Sequence, residues 1–336
     1  MASDTTPVLV AGAGSWGTAL AIVLTRNHQP TYLWGRNRET MAALKRDRTN
    51  KRYLPGYGFQ DLLEPVDDLA AVLSGVNDIV ITVPCQGLRS VLELIARASH
   101  AGIRICMACK GLEAGTQLLN HEVAGEVLDE EVPTAVLSGP SFAVEVAKGL
   151  PTAVTVASSD ATFASDLARR FHSESFRTYT NDDIIGVEVG GAVKNVLAIA
   201  AGIADGLGFG ANTRTALITR GLAEIIRLGV ALGGKRETFM GLAGLGDLVL
   251  TATQDQSRNR RFGLALAKGA TVEQALAQIG QVVEGVRAAY EVDTLAQKLA
   301  IEMPITHQVV RVLGGEKTPR EAVQALLARD PKAETL

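Results

Sequence analysis

VLVAGAGSWGTAL, residues 8–20, sets glycines at 12, 14 and 17 directly behind the β-branched Val8 and Val10 and ahead of the helix formers Ala19, Leu20, Ala21 and Leu24. That order reads as a strand, a tight turn and a helix. In such a unit one glycine makes the turn, one lets the backbone approach a pyrophosphate and one packs helix on strand, while the helix N-terminus points free N–H groups at the ligand. Gly12, Gly14, Ser15, Trp16 and Gly17 are therefore candidate contacts for a dinucleotide. A glycine-rich turn that holds no ligand is the competing reading.

The chain has 336 residues, 47% of them hydrophobic, which suffices for two packed domains and is too apolar for disorder. A net charge of -3 gives no general attraction to nucleic acid or an anionic membrane. The first residues, MASDTTP, lack the basic and apolar regions of a leader, and the long apolar stretches are interrupted by charge or glycine. A cytoplasmic protein without membrane insertion is expected. Cys85, Cys106 and Cys109 are too few and too unevenly placed for a disulfide framework. Cys106 and Cys109 form a CxxC, but inside IRICMAC (103–109), which reads as a buried strand and not as a redox motif. The histidines at 28, 100, 121, 172 and 307 show no ligand spacing, so no metal is expected.

Seven short β-rich runs alternate with helical sequence in the first half: VLVAG (8–12), TYLWG (31–35), DIVITVP (78–84), IRICMAC (103–109), TAVLSG (134–139), TAVTVAS (152–158) and FRTYT (176–180). After NDD (181–183), which reads as a helix start, the strand signal stops. Alanine-, leucine- and glycine-rich helical sequence follows, as in TRTALITRGLAEIIRLGVAL (213–232) and TVEQALAQIG (271–280). The expected fold is an α/β Rossmann-like domain over 1–180, with a mostly parallel sheet and helices on both faces, followed by an all-α domain over 181–336. Ligand sites in open sheets of this kind lie at the carboxyl ends of the strands.

An acidic residue at the end of the second strand would accept hydrogen bonds from the adenosine ribose of NAD. TYLWGRNRE ends instead in Arg36 and Arg38, with Glu39 already entering the next helix. Guanidinium forks match a 2′-phosphate in charge and geometry. NADP(H) is favoured, NAD(H) is possible, and two solvated surface arginines are the alternative.

Five further stretches stand out: CKG (109–111), SGPSFA (138–143), GGAVKNVLAIAAG (190–202), GLAGLGDL (241–248) and SRN (257–259). With GAGSWGTAL, in this order and over nearly the whole chain, they resemble the bacterial type of NAD(P)-dependent glycerol-3-phosphate dehydrogenase. The resemblance implies reversible NAD(P)H-dependent reduction of dihydroxyacetone phosphate to sn-glycerol 3-phosphate, supplying phospholipid synthesis. A homodimer acting on a small-molecule substrate is expected.

The resemblance places the proton donor and acceptor at Lys194, with Asn195 beside it on the substrate. On a helix, Lys194 leans over Gly190 and Gly191. The two glycines leave either room for substrate or a close helix contact under a solvated lysine. Lys110 falls by resemblance on the substrate and near nicotinamide, and a second ammonium there would lower the Lys194 pKa toward working pH. Asp247 falls beside Lys194 and on the substrate; on residue type alone it could be a helix N-cap. Gly139 and Ser141 correspond to substrate contacts and Ala143 to a cofactor contact, while Ser141 could equally cap a helix. Ser257 looks like an N-cap, which would gather Arg258, Asn259 and free N–H groups on one anion. The resemblance gives Ser257, Arg258 and Asn259 to substrate, and Arg258, Val282 and Glu284 to cofactor. Arg260 and Arg261 extend the basic run, which is too short and too poor in aromatics for nucleic acid.

Two other readings stay open. One is a related sugar-acid or 3-hydroxyacid dehydrogenase of the same two-domain plan, which lacks SRN in this setting. The other is a catalytically silent NADP-binding sensor, which would have lost Lys194 or Asp247. Nucleotide-sugar dehydrogenases need a later cysteine nucleophile, and no cysteine follows Cys109. GLGFGAN (206–212) is read either as a loop over the site or as an inert connection.

Overall fold

The computed structural model describes residues 6–98 and 100–330. The backbone forms two compact units, one from the chain up to Cys109 and Asn120–Ile184, the other from Lys110–Leu119 and the chain from Ile185 on. The segment Lys110–Leu119, assigned by its sequence to the first domain, thus folds with the second. The reason is apolar: Leu112 and Leu119 are buried in the core of the helical unit.

The first unit carries β1 Val8–Ala11, β2 Thr31–Trp34, β3 Thr49–Asn50, β4 Leu54–Gly58, β5 Leu63–Val66, β6 Asp78–Ile81, β7 Arg104–Met107, β8 Thr134–Ser138, β9 Thr152–Ser158 and β10 Phe176–Asn181. Eight of them form one sheet in the order β10-β9-β8-β7-β6-β1-β2-β5. Every pair is parallel except β8 with β9. All seven runs marked in the sequence are strands of this sheet. The sequence pattern missed β3, β4 and β5, because LPGYG and LEPV are broken by proline and glycine. Pro65 sits where proline is tolerated, on the edge strand β5.

At the carboxyl end of β1 the three glycines do three different things. Gly12 takes φ +133, closed to most side chains, and its N–H donates to the Trp34 carbonyl at 2.8 Å. A Cβ on Gly17 would lie 1.9 Å from the Gly12 carbonyl oxygen, whereas a Cβ on Gly14 would meet nothing within 4 Å. The helix Ser15–Arg26 starts at Gly14 with no side-chain cap, so its first N–H groups have no side-chain partner. Residues 17–25 of that helix are buried, which places it in the middle of the first unit's core.

In the second unit the helix Ile184–Gly206 is the axis. It is long and apolar enough to cross a membrane, with mean hydropathy 1.6, yet 83% of that window is buried inside the protein. Three segments approach it at glycines. A Cβ on Gly190 would lie 2.7 Å from the Ala243 carbonyl oxygen, on Gly202 2.1 Å from that of Arg260, and on Gly285 2.6 Å from that of Asn195. Within GLAGLGDL, Leu242–Gly246 is a π-helical turn closed by Gly246 N–H to the Gly241 carbonyl at 3.1 Å, running into the helix Asp247–Thr253. GLGFGAN holds only residues 207–210 between Gly206 and the next helix, Ala211–Ala231.

Because the Gly17 contact is with backbone, Gly17→Ala should destabilise the protein by roughly 1–3 kcal/mol through overpacking. Gly14→Ala, facing open space, should leave the thermal midpoint within about 2 °C of wild type. Differential scanning calorimetry of the two variants compares them; equal losses would contradict this division of labour.

Candidate functional site

Lys194 lies midway along the Ile184–Gly206 helix and is 6% exposed. Its ammonium donates to Asp247 Oδ1 at 2.5 Å and to Thr251 Oγ1 at 2.9 Å. Lys110 donates to the other carboxylate oxygen, Oδ2, at 2.6 Å. Two lysines thus share one buried carboxylate. The solvated-lysine reading fails on this burial, and the room-for-substrate reading of Gly190 is corrected. Gly190 is a close packing contact, and that contact lets the Leu242–Gly246 turn come near enough to deliver Asp247. Asp247 is not a cap either. Gly246 occupies the cap position, and the Asp247 side chain is spent on the two lysines.

Thr251 escaped the sequence reading. It stands four residues after Asp247, hence on the same helix face. Its hydroxyl donates to the Asp247 carbonyl at 2.7 Å, leaving its lone pairs to the Lys194 ammonium.

Burial is the largest influence on the Lys194 ammonium and lowers its pKa; Asp247 opposes this and Lys110 adds to it, and the balance brings the group down to about 8. For Asp247 burial acts upward, but the two ammonium groups outweigh it and hold the carboxyl below its usual range. The trio therefore carries two charges of one sign and one of the other when Lys194 is protonated. It can release a proton near neutrality and stabilise negative charge beside it.

A second cluster is built from amides. Gly285 N–H donates to Asn259 Oδ1 at 2.9 Å, Asn259 Nδ2 donates to Asn195 Oδ1 at 2.9 Å, and Asn195 Nδ2 reaches Glu284 Oε2 at 3.5 Å. Glu284, half-buried, opens the helix Glu284–Lys298 and also supports the Lys194 charge. Ser257 caps the helix Arg258–Ala267, accepting from Arg260 N–H at 3.2 Å. Arg258 begins that helix half-exposed, and its guanidinium has no hydrogen bond or ion pair among the described residues. Arg260, read from the sequence as part of a basic run, is instead buried and tied to Asp205 and Asp255. Val282 is 48% exposed.

The remaining predicted residues belong to the first unit. Arg36 and Arg38 are exposed around Asn37, which caps the helix Arg38–Asp47. Gly139 takes φ +145, and a Cβ there would press on Val154 of the neighbouring strand, so strand packing alone accounts for it. Ser141 is not a cap: Phe142 holds that position before Ala143–Lys148, and the Ser141 hydroxyl donates to the Gly139 carbonyl at 3.0 Å. Ala143 is half-buried at the start of that helix. The indole N–H of Trp16 is buried without a partner among the described residues. The open side of Gly14, the uncapped helix start and this unpaired donor fit a bound pyrophosphate and its ribose. Cys106 is buried and free, and burial pushes its thiol far above the ordinary range. Among the described residues no group of three or more His, Cys, Asp or Glu side chains is placed to hold a metal ion.

Residues 7–164 match the model of the NAD-dependent glycerol-3-phosphate dehydrogenase N-terminus, and residues 183–324 match that of its C-terminus. A glycerol-3-phosphate dehydrogenase [NAD(P)+] of Nitrosococcus oceani is 56% identical, the match covering 97% of this chain and 95% of that one. The crystal structure of glycerol-3-phosphate dehydrogenase from Coxiella burnetii superposes with a TM-score of 0.94 at 51% identity, covering 97% and 99% of the two chains. D-mandelate dehydrogenase shares the fold alone, with a TM-score of 0.62 at 11% identity over 94% of this chain and 99% of that one.

Proposed function

The chain belongs to the NAD-dependent glycerol-3-phosphate dehydrogenase family, and we propose that Lys194 is the acid and base of its reaction, the reversible reduction of dihydroxyacetone phosphate to sn-glycerol 3-phosphate. The observation that carries this reading is the buried Lys194 ammonium bonded to Asp247, with Lys110 on the same carboxylate. When bound, a reduced nicotinamide supplies the hydride. The protein supplies the proton. Lys194 gives it to the oxygen of the reduced carbonyl, Asp247 and Thr251 orient the ammonium, and Lys110 stabilises the negative charge that builds on that oxygen.

The substrate phosphate is read onto the start of the Arg258–Ala267 helix, where Arg258, Ser257 and Asn259 gather and the Arg258 guanidinium is uncommitted. Asn195, Gly139 and Ser141 are read as further substrate contacts. For the cofactor we read Gly12, Gly14, Ser15, Trp16 and Gly17 onto the pyrophosphate side, Arg36 and Arg38 onto a 2′-phosphate, and Lys110, Ala143, Arg258, Val282 and Glu284 as additional contacts. The exposed, uncommitted Arg36 and Arg38 at the end of β2 support NADP(H) over NAD(H). By the family resemblance we take the enzyme to be a cytoplasmic homodimer that feeds glycerol 3-phosphate into phospholipid synthesis.

Lys194→Ala should lower kcat by roughly 10²- to 10⁴-fold with NADPH binding retained. The pH dependence follows from the same group. Reduction needs Lys194 protonated, so its rate should fall as pH rises through about 8, whereas oxidation needs the neutral amine and should rise over the same interval. Steady-state kinetics in both directions measure this, and matching profiles for the two directions would remove Lys194 from the role.

Replacing Arg36 with Asp should weaken NADPH far more than NADH, since only NADPH carries the 2′-phosphate. Fluorescence titration of both nucleotides decides it. Equal losses would mean that Arg36 does not read the phosphate.

Arg258→Ala should cost about 2–4 kcal/mol in kcat/KM for dihydroxyacetone phosphate, the loss of a charge-assisted contact in a partly buried site. Dihydroxyacetone, which has no phosphate, serves as the control and should lose only what the arginine contributes to the cofactor. A preference for phosphorylated over free substrate that survives the substitution would place the phosphate elsewhere.

A further inference from the structure

Lys110 stands three residues beyond the end of β7, outside helix and strand, so its place depends on how that irregular segment is held. The segment leaves the first unit at Cys109 and re-enters it at Asn120, whose Nδ2 donates to the Cys109 carbonyl at 3.3 Å and ties the two ends together. Between these points Glu113–Leu118 folds into a closed turn, with Glu113 N–H donating to the Leu118 carbonyl at 2.9 Å and Gln117 N–H to the Glu113 carbonyl at 3.0 Å. Such a turn is a rigid handle.

Gln117 holds that handle. Its side-chain Nε2 donates to Glu291 Oε2 at 2.7 Å, and its Oε1 accepts from the Lys298 ammonium, both on the Glu284–Lys298 helix. Gly115 N–H donates to the same Glu291 oxygen at 3.2 Å. The side chain is buried, and the backbone takes φ 63, a left-handed conformation that residues with a Cβ adopt rarely and glycine adopts freely. A residue kept in that conformation with both ends of its amide bonded is held for what the side chain does. An amide suits the position. It must offer a donor to a carboxylate and an acceptor to an ammonium from one head group, which neither Glu nor Lys can do.

We propose that Gln117 is a positioning residue for the proton-transfer site: its amide clamps the Lys110–Leu119 segment to the Glu284–Lys298 helix and so keeps the Lys110 ammonium on Asp247. This rests on the reading of Lys110 given above. The charged groups facing Lys194 are Asp247, Lys110 and Glu284. Of these, Lys110 is the one whose place depends on the clamp, and withdrawing it leaves Asp247 to Lys194 alone.

The test is the pH profile of dihydroxyacetone phosphate reduction by the full-length enzyme, measured for Gln117→Ala, Gln117→Glu, Lys110→Met and the double variant Gln117→Glu/Glu291→Gln. Lys110→Met and both Gln117 single variants should move the falling limb to higher pH, by about half a unit or more, because an ammonium that lowered the Lys194 pKa has gone or receded. In the Gln117 variants kcat should also drop by roughly 3- to 30-fold. The double variant should recover both quantities in part, since its new carboxylate at position 117 accepts from Lys298 while its new amide at position 291 supplies the missing donor, at the loss of the oxygen that Gly115 N–H shares in the wild type. Should Gln117→Glu fold poorly, Gln117→Ala carries the same expectation for the pH limb. A wild-type limb in a folded Gln117 variant, alongside a shifted limb in Lys110→Met, would overturn the clamp and leave the Lys110 reading intact. An unshifted limb in Lys110→Met would overturn both. A double variant no better than Gln117→Glu in either quantity would show that Gln117 and Glu291 do not act through each other, which also overturns the clamp.

Discussion

Two ammonium groups on one carboxylate, with the carboxylate and the Lys194 ammonium shielded from water and Lys110 partly so, are the constraint on which the helical unit turns. Asp247 is 1% exposed and Lys194 6%, and charges so placed are tolerable only while their partners stay within hydrogen-bond distance. Deleting one member of a buried pair typically costs about 3–5 kcal/mol, because the survivor is left uncompensated. Asp247 thus has a structural duty that cannot be separated from its chemical one. Two cations on one carboxylate also leave positive charge in excess at Asp247, which Glu284 offsets in part, and a buried site retains such charge where a solvated one would dissipate it.

Glycine contacts meet that constraint. A helix as apolar as Ile184–Gly206 would pack well against almost any neighbour, but ordinary side chains would hold those neighbours about 8–10 Å from axis to axis. At Gly190, Gly202 and Gly285 the missing Cβ lets backbone carbonyls approach directly. The Gly190 contact brings the Asp247 turn, the Gly202 contact brings the helix that starts at Arg258, and the Gly285 contact lays an N–H on Asn259. Because a backbone N–H can only donate, that last bond fixes which way both asparagine amides face, and Asn195 is left presenting Nδ2 to Glu284. The same helix that supplies Lys194 is thereby the surface against which the start of the Arg258–Ala267 helix is aligned.

The sequence made the sheet and the long helices legible because their periodicity is strong and their punctuation conventional. The turn at Gly12, the cap at Ser257 and the change from strands to helices at NDD all follow from local chemistry. Properties that depend on a partner distant in the chain were hidden from the residues themselves, and the nearness of Asp247 and Lys110 to Lys194 came from the family resemblance alone. Gly190 invited a reading as empty space because no local rule says that Ala243 will arrive there. Asp247 and Ser141 have the residue types of caps, yet each spends its side chain elsewhere. Arg260 looked like its neighbour Arg258, and only the positions of Asp205 and Asp255 distinguish a structural guanidinium from an uncommitted one. The segment Lys110–Leu119 changed unit for the same reason, since a leucine in an irregular segment does not announce which core will bury it.

The opposing influences on Lys194 bear on why the site has this composition. A buried lysine alone would lose its proton well below neutrality in the strongest cases, and one paired only with a carboxylate would hold it far above. Neither extreme serves a reaction that gives a proton in one direction and takes it back in the other, since acid and base catalysis are both most effective with a group that titrates near the working pH. Burial and Lys110 pull down while Asp247 and Glu284 pull up, and the result, about 8, leaves both forms of Lys194 accessible. Asp247 therefore does more than anchor: by binding both lysines it holds the group that raises the Lys194 pKa and the group that lowers it in one place, so that a change in the geometry of either lysine is felt as a change in the proton affinity of Lys194.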